Sequence, residues 1–118
     1  MEPERLAELV ERALDDMKAE DVRVLDVRDR TAITDFMVIA SGTSQRHVRA
    51  LAQEVAFQAK KAGQPPLGVE GEQAAEWVLV DLGAVVVHVM QPRVRAFYNL
   101  EKLWSTPAEG PAGGEGGG

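Results

Sequence analysis

Gly42-Thr43-Ser44 is the first place in this 118-residue chain where residue types and spacing suggest chemistry. It falls between an apolar run, Asp35 to Ser41, and a helix-patterned run that begins at Gln45. Backbone amides that open a helix attract anions, and enzymes that transfer nucleotidyl groups hold triphosphate on such a turn. Their chemistry also needs two magnesium ions, held by an Asp-x-Asp pair, to neutralise the developing phosphate charge. No Asp-x-Asp occurs in the chain; Asp35 and Asp81 are single carboxylates at the ends of different predicted strands. The turn therefore reads either as an ordinary helix cap or as a phosphate cradle stripped of its metals. Ser41, Thr43 and Ser44 are possible nucleophiles, but no nucleophile-elbow pattern surrounds them. His47 and His88 are far apart and lack His-Glu-x-x-His spacing, so neither a metal site nor a cofactor is expected. The absence of cysteine excludes disulfides, thiol catalysis and Cys-ligated zinc.

Binding has more to draw on. Trp77, Tyr98 and Trp104 are three of the six aromatic residues, and each sits beside charged neighbours. Large aromatics at the rim of a sheet either seal the core or anchor an interface. Glu70, Glu72, Glu76, Asp81 and Glu101 could surround them with negative charge, which complements a basic protein surface. Strand alternation puts His88 on the face opposite Val87 and Val89, either bonded to its neighbours in a partly buried site or exposed as a contact. The formal charge of −6 and the pI near 4.9 argue against a protein that grips nucleic acid through its own phosphate contacts. An acidic protein can still act on a ribonucleoprotein by docking on a basic protein of that particle.

The stretch that must position these residues runs from Leu67 to Met90. It opens with a loop bounded by Gly68 and Gly71 and continues as two β-rich runs, Glu76 to Leu82 and Ala84 to Met90, joined at Gly83. So apolar a strand-turn-strand unit belongs inside a sheet. Before it, Pro3 to Ala19 carries Leu6, Leu9, Val10, Ala13, Leu14 and Met17 at helical spacing. Val22 to Val27 and Asp35 to Ser41 read as antiparallel neighbouring strands. A helix from Gln45 to Ala62, capped by Thr43 or Ser44 and ended by Gly63, turns Val48, Leu51, Ala52, Val55 and Ala59 inward. Leu67 to Val69 is a candidate edge strand, and Pro92 opens a last helix predicted to run unbroken from Arg93 to about Leu103. The expected fold is a single α/β domain, residues 1–105, with a mixed β-sheet flanked by helices. Residues 106–118 are rich in proline and glycine and are expected to be a disordered tail. No apolar run approaches the roughly 20 residues of a membrane span and no signal-peptide core is present, so a cytoplasmic protein is expected.

Several of these stretches together resemble the ribosomal silencing factor family, also called RsfS or Iojap. They are Ile33-Thr34-Asp35-Phe36, Ser41-Gly42-Thr43-Ser44-x-Arg46-His47-Val48, Pro66 to Gly71, Trp77 to Gly83, Val87-His88-Val89-Met90, and Tyr98-x-Leu100-Glu101-x-Leu103-Trp104. The resemblance spans about Leu6 to Ser105 and leaves out the glycine-rich tail. It implies a nucleotidyltransferase-like fold without catalytic residues, which agrees with the missing Asp-x-Asp. It also implies a non-enzymatic translational repressor that binds ribosomal protein fourteen of the large subunit and blocks joining of the small subunit when nutrients are scarce. Trp77, Asp81, His88, Met90, Tyr98 and Trp104 match the family motifs and are the residues expected to contact that partner. Homodimers occur in the family, so a homodimer stays open here, as does the alternative of a nucleotidyltransferase-like phosphate-binding enzyme.

Overall fold

The structure, a computed structural model, describes residues 1–105, and the tail expected over residues 106–118 lies outside the described residues. Nine elements follow in order: α1 (Pro3–Asp16), β1 (Glu20–Asp26), β2 (Phe36–Ser41), α2 (Gln45–Lys61), β3 (Gly68–Glu70), β4 (Trp77–Asp81), β5 (Val85–Met90), α3 (Pro92–Tyr98) and α4 (Leu100–Ser105). The five strands form one mixed sheet in the order β1-β2-β5-β4-β3. β2 and β5 run parallel at its centre, and every other neighbouring pair is antiparallel. This is the expected α/β domain, with Gly68–Glu70 as the short edge strand.

Alternation along the strands divides the apolar residues between two layers. Phe36, Val38 and Ala40 of β2, Val78 and Val80 of β4, and Val85, Val87 and Val89 of β5 face α1 and α2 in the main core. The helices meet them with Leu6, Val10 and Leu14 from α1 and Val48, Leu51 and Val55 from α2, all fully buried. Met37, Ile39 and Met90 point the other way and join Val27 and Val94 in a smaller cluster against which Trp77, Leu100 and Trp104 pack. α2 starts where expected, with the Ser44 side chain accepting the His47 amide. It ends at Gly63, whose φ of +86° suits a residue without a side chain.

The C-terminal segment departs from the single helix expected. Asn99 adopts a left-handed conformation, φ 51° and ψ 54°, and splits the segment into two short helices. Asparagine is one of the few side chains that tolerates this geometry, so one residue turns the chain at little cost. As a result Phe97, Tyr98 and Leu103, which a continuous helix would share between core and surface, all lie exposed.

Candidate functional site

The loop before β4 decides where Trp77 stands. Gly71 has φ +90°, and a Cβ at that position would lie 2.2 Å from the Trp77 carbonyl oxygen, so only glycine fits. Arg49 of α2 donates from Nε to the Glu72 carbonyl (3.1 Å) and from Nη2 to that of Gln73 (3.0 Å). Gln45 donates to the Ala74 carbonyl and Gln91 to that of Ala75. Four loop carbonyls are thus held by side chains from α2 and from the end of β5. The backbone enters β4 along one path, and that path places Trp77.

Trp77 is half-buried on the face away from α1 and α2, opposite Met90 in the β4–β5 register. Its indole N–H donates to His88 Nδ1 at 3.0 Å, from the strand next door. His88 is buried, which pushes its pKa down to about 4. An indole nitrogen can only donate, so the imidazole must be neutral with its proton on Nε2. Tyr98 also packs on the indole, ring centroids 4.9 Å apart and tilted by 49°. Phe97 meets Tyr98 edge to face at 5.0 Å. Phe97 and Tyr98 border a hollow of about 420 Å³ together with Val94, Arg93 and Glu76. Phe97 is 79% exposed and Tyr98 55% exposed. Exposing side chains so large to water is unfavourable, so this aromatic rim is a candidate docking feature of the described surface.

Of the six residues expected to contact a partner, the structure brings Trp77, His88 and Tyr98 together. Met90 is fully buried beneath them, so direct contact by Met90 is ruled out on this surface; it supports Trp77 from below. Asp81 lies four residues along β4 from Trp77, about 13 Å at the usual strand rise. Its Oδ1 accepts the Gly83 amide at 2.9 Å, closing the β4–β5 turn. Trp104 is half-buried in α4 against the smaller cluster.

The expected ring of acids also changes. Glu70, Glu72 and Glu76 are exposed, but Glu101 is committed inward. It accepts from Arg95 Nη2 at 2.7 Å and Nε at 3.2 Å, with Arg23 at 4.0 Å, and the Arg95 bonds hold its carboxyl below its ordinary range. Arg95, which sequence reasoning missed, is 6% exposed and also donates from Nη1 to Ser41 Oγ at 2.9 Å. It pins both short helices to the end of β2. Nothing in the local pattern marks it, since Ser41 is 54 residues away and Glu101 comes within reach only through the break at Asn99.

The Gly42–Ser44 turn is occupied by its own structure. The Gly42 amide donates to the Met90 carbonyl, and the Thr43 amide to His47 Nδ1 at 2.9 Å. The His47 amide goes to Ser44 Oγ, and His47 Nε2 reaches the Met17 carbonyl at 2.9 Å, tying α2 to the end of α1. A Cβ on Gly42 would come within 2.8 Å of Val48 Cγ2, so helix packing accounts for the glycine. With these amides already paired, the turn is a helix cap whose spare donors are few. Among the described residues no cluster of three or more His, Asp or Glu side chains could hold a metal ion, and no helix is long and apolar enough to cross a membrane.

The fold and this site define a small α/β domain that presents an aromatic rim on one sheet face. The family model described as ribosomal silencing factor during starvation matches residues 1–113. Over 100 residues the chain is 45% identical to the ribosomal silencing factor RsfS of Haemophilus influenzae, covering 85% of this chain and 98% of that protein. A crystal structure of a Chromobacterium violaceum protein, 43% identical, superposes with a TM-score of 0.88 over 97% of this chain and 95% of that one. The mouse protein named mitochondrial assembly of ribosomal large subunit protein 1 is 39% identical over 90 residues, 74% of this chain and 40% of its own length. The chain belongs to the ribosomal silencing factor family, a family of ribosome-associated translation regulators.

Proposed function

We propose that the chain acts in the cytoplasm as a translational repressor that binds the large ribosomal subunit through ribosomal protein fourteen and so prevents the small subunit from joining. The observation that carries this reading is the exposed Phe97–Tyr98 edge packed on a rigidly held Trp77, in a chain of this family. A rim of that kind supplies the buried aromatic anchors that dominate protein interfaces. The chain's net charge of −6 favours a basic protein over nucleic acid, and of the exposed acids Glu76 borders the aromatic hollow, together with Arg93. Steric occlusion needs no catalysis: two bodies cannot occupy one intersubunit bridge. Nutrient limitation, in the family's description, is the condition under which such repression is useful.

Co-sedimentation with isolated large subunits, small subunits and joined ribosomes tests it. Pelleting with large subunits alone, with fewer joined particles once small subunits are added, is the expected result; pelleting with none of them overturns the proposal. A homodimer through the same rim is the second reading, favoured by Leu103, 63% exposed, beside Tyr98 at the lip of a shallow hollow. Light scattering separates the two, since a strictly monomeric chain at micromolar concentration removes the dimer.

A further inference from the structure

We propose that His88 is a positioning residue for docking: buried and out of a partner's reach, it fixes the orientation of Trp77 by accepting the indole N–H. The inference rests on the docking reading given above and assigns His88 a part in it other than the direct contact expected from the family resemblance.

Trp77 and His88 are diagonal neighbours on one face, because Trp77 pairs with Met90 and Leu79 pairs with His88 across the two strands. Cross-strand diagonals come within reach for long or aromatic side chains. Here the reach ends in a directed bond, Nε1 to Nδ1 at 3.0 Å, with ring centroids 5.9 Å apart and tilted by 48°. Tyr98 also contacts the indole, ring centroids 4.9 Å apart. Packing on Tyr98 and on the smaller cluster is non-directional and leaves the half-buried ring free to slide in its plane; the directed bond to His88 removes that freedom. His88 is itself fixed, 7% exposed on a central strand between β2 and β4. Its register partners on those strands, Ile39 and Leu79, are apolar and offer no competing bond. An anchor ordered before contact loses less freedom on binding, so it binds more tightly with no additional contact.

The test uses His88→Leu, which removes the acceptor in similar volume, and His88→Asn, whose amide oxygen can stand near the position of Nδ1. Both are made in the full chain and also combined with Trp77→Phe, which lacks the N–H. Affinity for purified large subunits is measured beside the ¹⁵N-indole resonance of Trp77, with circular dichroism to confirm folding. His88→Leu is expected to shift the indole resonance toward that of an unbonded N–H and to weaken binding about tenfold, the equivalent of one lost hydrogen bond. His88→Asn should restore most of both, and His88→Leu should cost nothing further in the Trp77→Phe background, since coupled residues are not additive. Unchanged affinity with a shifted indole resonance overturns the positioning role. So does a tenfold loss that persists unchanged in Trp77→Phe, which would mean His88 acts independently of the indole. Absence of binding by the wild-type chain overturns the docking reading itself, while the resonance still shows whether His88 holds the ring.

Discussion

The two faces of the sheet are woven from the same alternating strands, yet their surroundings are opposite. α1 and α2, 14 and 17 residues long, close one face completely, and valines at 78, 80, 85, 87 and 89 are sealed there. Among the described residues the other face is roofed only by α3 and α4, 7 and 6 residues long, which cover Met37, Ile39 and Met90. Beyond their edge Leu79, Asp81 and Val86 stay half-exposed, and Phe97 and Tyr98 project outward. Helices so short are not stable by themselves and depend on tertiary ties, here the buried Arg95 with Ser41 and Glu101. The covered face supplies stability, and the half-covered face is where a partner can add apolar contact. Substitutions on the two faces should therefore separate folding from docking.

The largest effect is expected on the closed face. Leu51 is fully buried in the main core, and Leu51→Ala should cost about 3 to 4 kcal/mol of unfolding free energy through lost burial and the cavity left behind. Urea denaturation measures this, and subunit affinity of the folded fraction should not change. A change in affinity would mean that the two faces are not independent.

Acid should act next, through His88. An unfolded histidine titrates near 6.5, whereas burial lowers His88 to about 4 in the fold. Between these values the unfolded chain binds the extra proton, so stability is full above about pH 6.5 and falls as pH drops toward 4. The difference amounts to about 3 kcal/mol by proton linkage. Comparing wild type with His88→Asn at pH 7 and pH 4.5 isolates this from carboxylates such as Asp26, which Arg28 holds at about 2. Equal acid sensitivity in both proteins would remove His88 as the cause.

The closed face was also the legible one. Period-2 and period-3.6 patterns are statements about which side chains share a surface, and β4, α1 and α2 obey them because a full layer lies on each. Ser44 and Gly63 mark the ends of α2 by local chemistry alone. The other face depends on events no local pattern records. One left-handed Asn99 redirects the last segment and exposes Phe97. Arg95 finds Ser41 only in three dimensions. Met90 shares a face with Trp77 and His88, as alternation requires, but whether that face is roofed depends on where α3 lands. The candidate site was thus legible as a set of residue types, and its division into anchor, support and positioning residue was not.

Tyr98→Ala should show the reverse of Leu51→Ala. Its side chain is 55% exposed, so the stability cost should stay below about 1 kcal/mol. As an anchor packed on Trp77, its loss should weaken docking by about 2 kcal/mol, or roughly thirtyfold. Trp77→Ala should reach at least the same loss of binding, at a higher cost in stability because the ring packs on the smaller cluster. Wild-type affinity in Tyr98→Ala would move the docking surface elsewhere.

The smallest expected effect concerns the exposed carboxylates at the end of β3 and in the loop to β4. Steering by exposed Glu70, Glu72 and Glu76 toward a basic partner acts before contact, so it belongs to the association rate. Screening shortens the reach of such charges from about 30 Å at 0.01 M salt to about 8 Å at 0.15 M. Stopped-flow association should therefore slow several-fold over that range, with dissociation nearly constant. Glu76→Gln, at the edge of the aromatic hollow, should flatten the salt dependence. Glu101→Gln should not act in this way, because that carboxylate already faces Arg95. If Glu101→Gln changed the salt slope and Glu76→Gln did not, the docking surface would have to be sought on the Arg95 side of the short helices, with the aromatic rim left for another purpose.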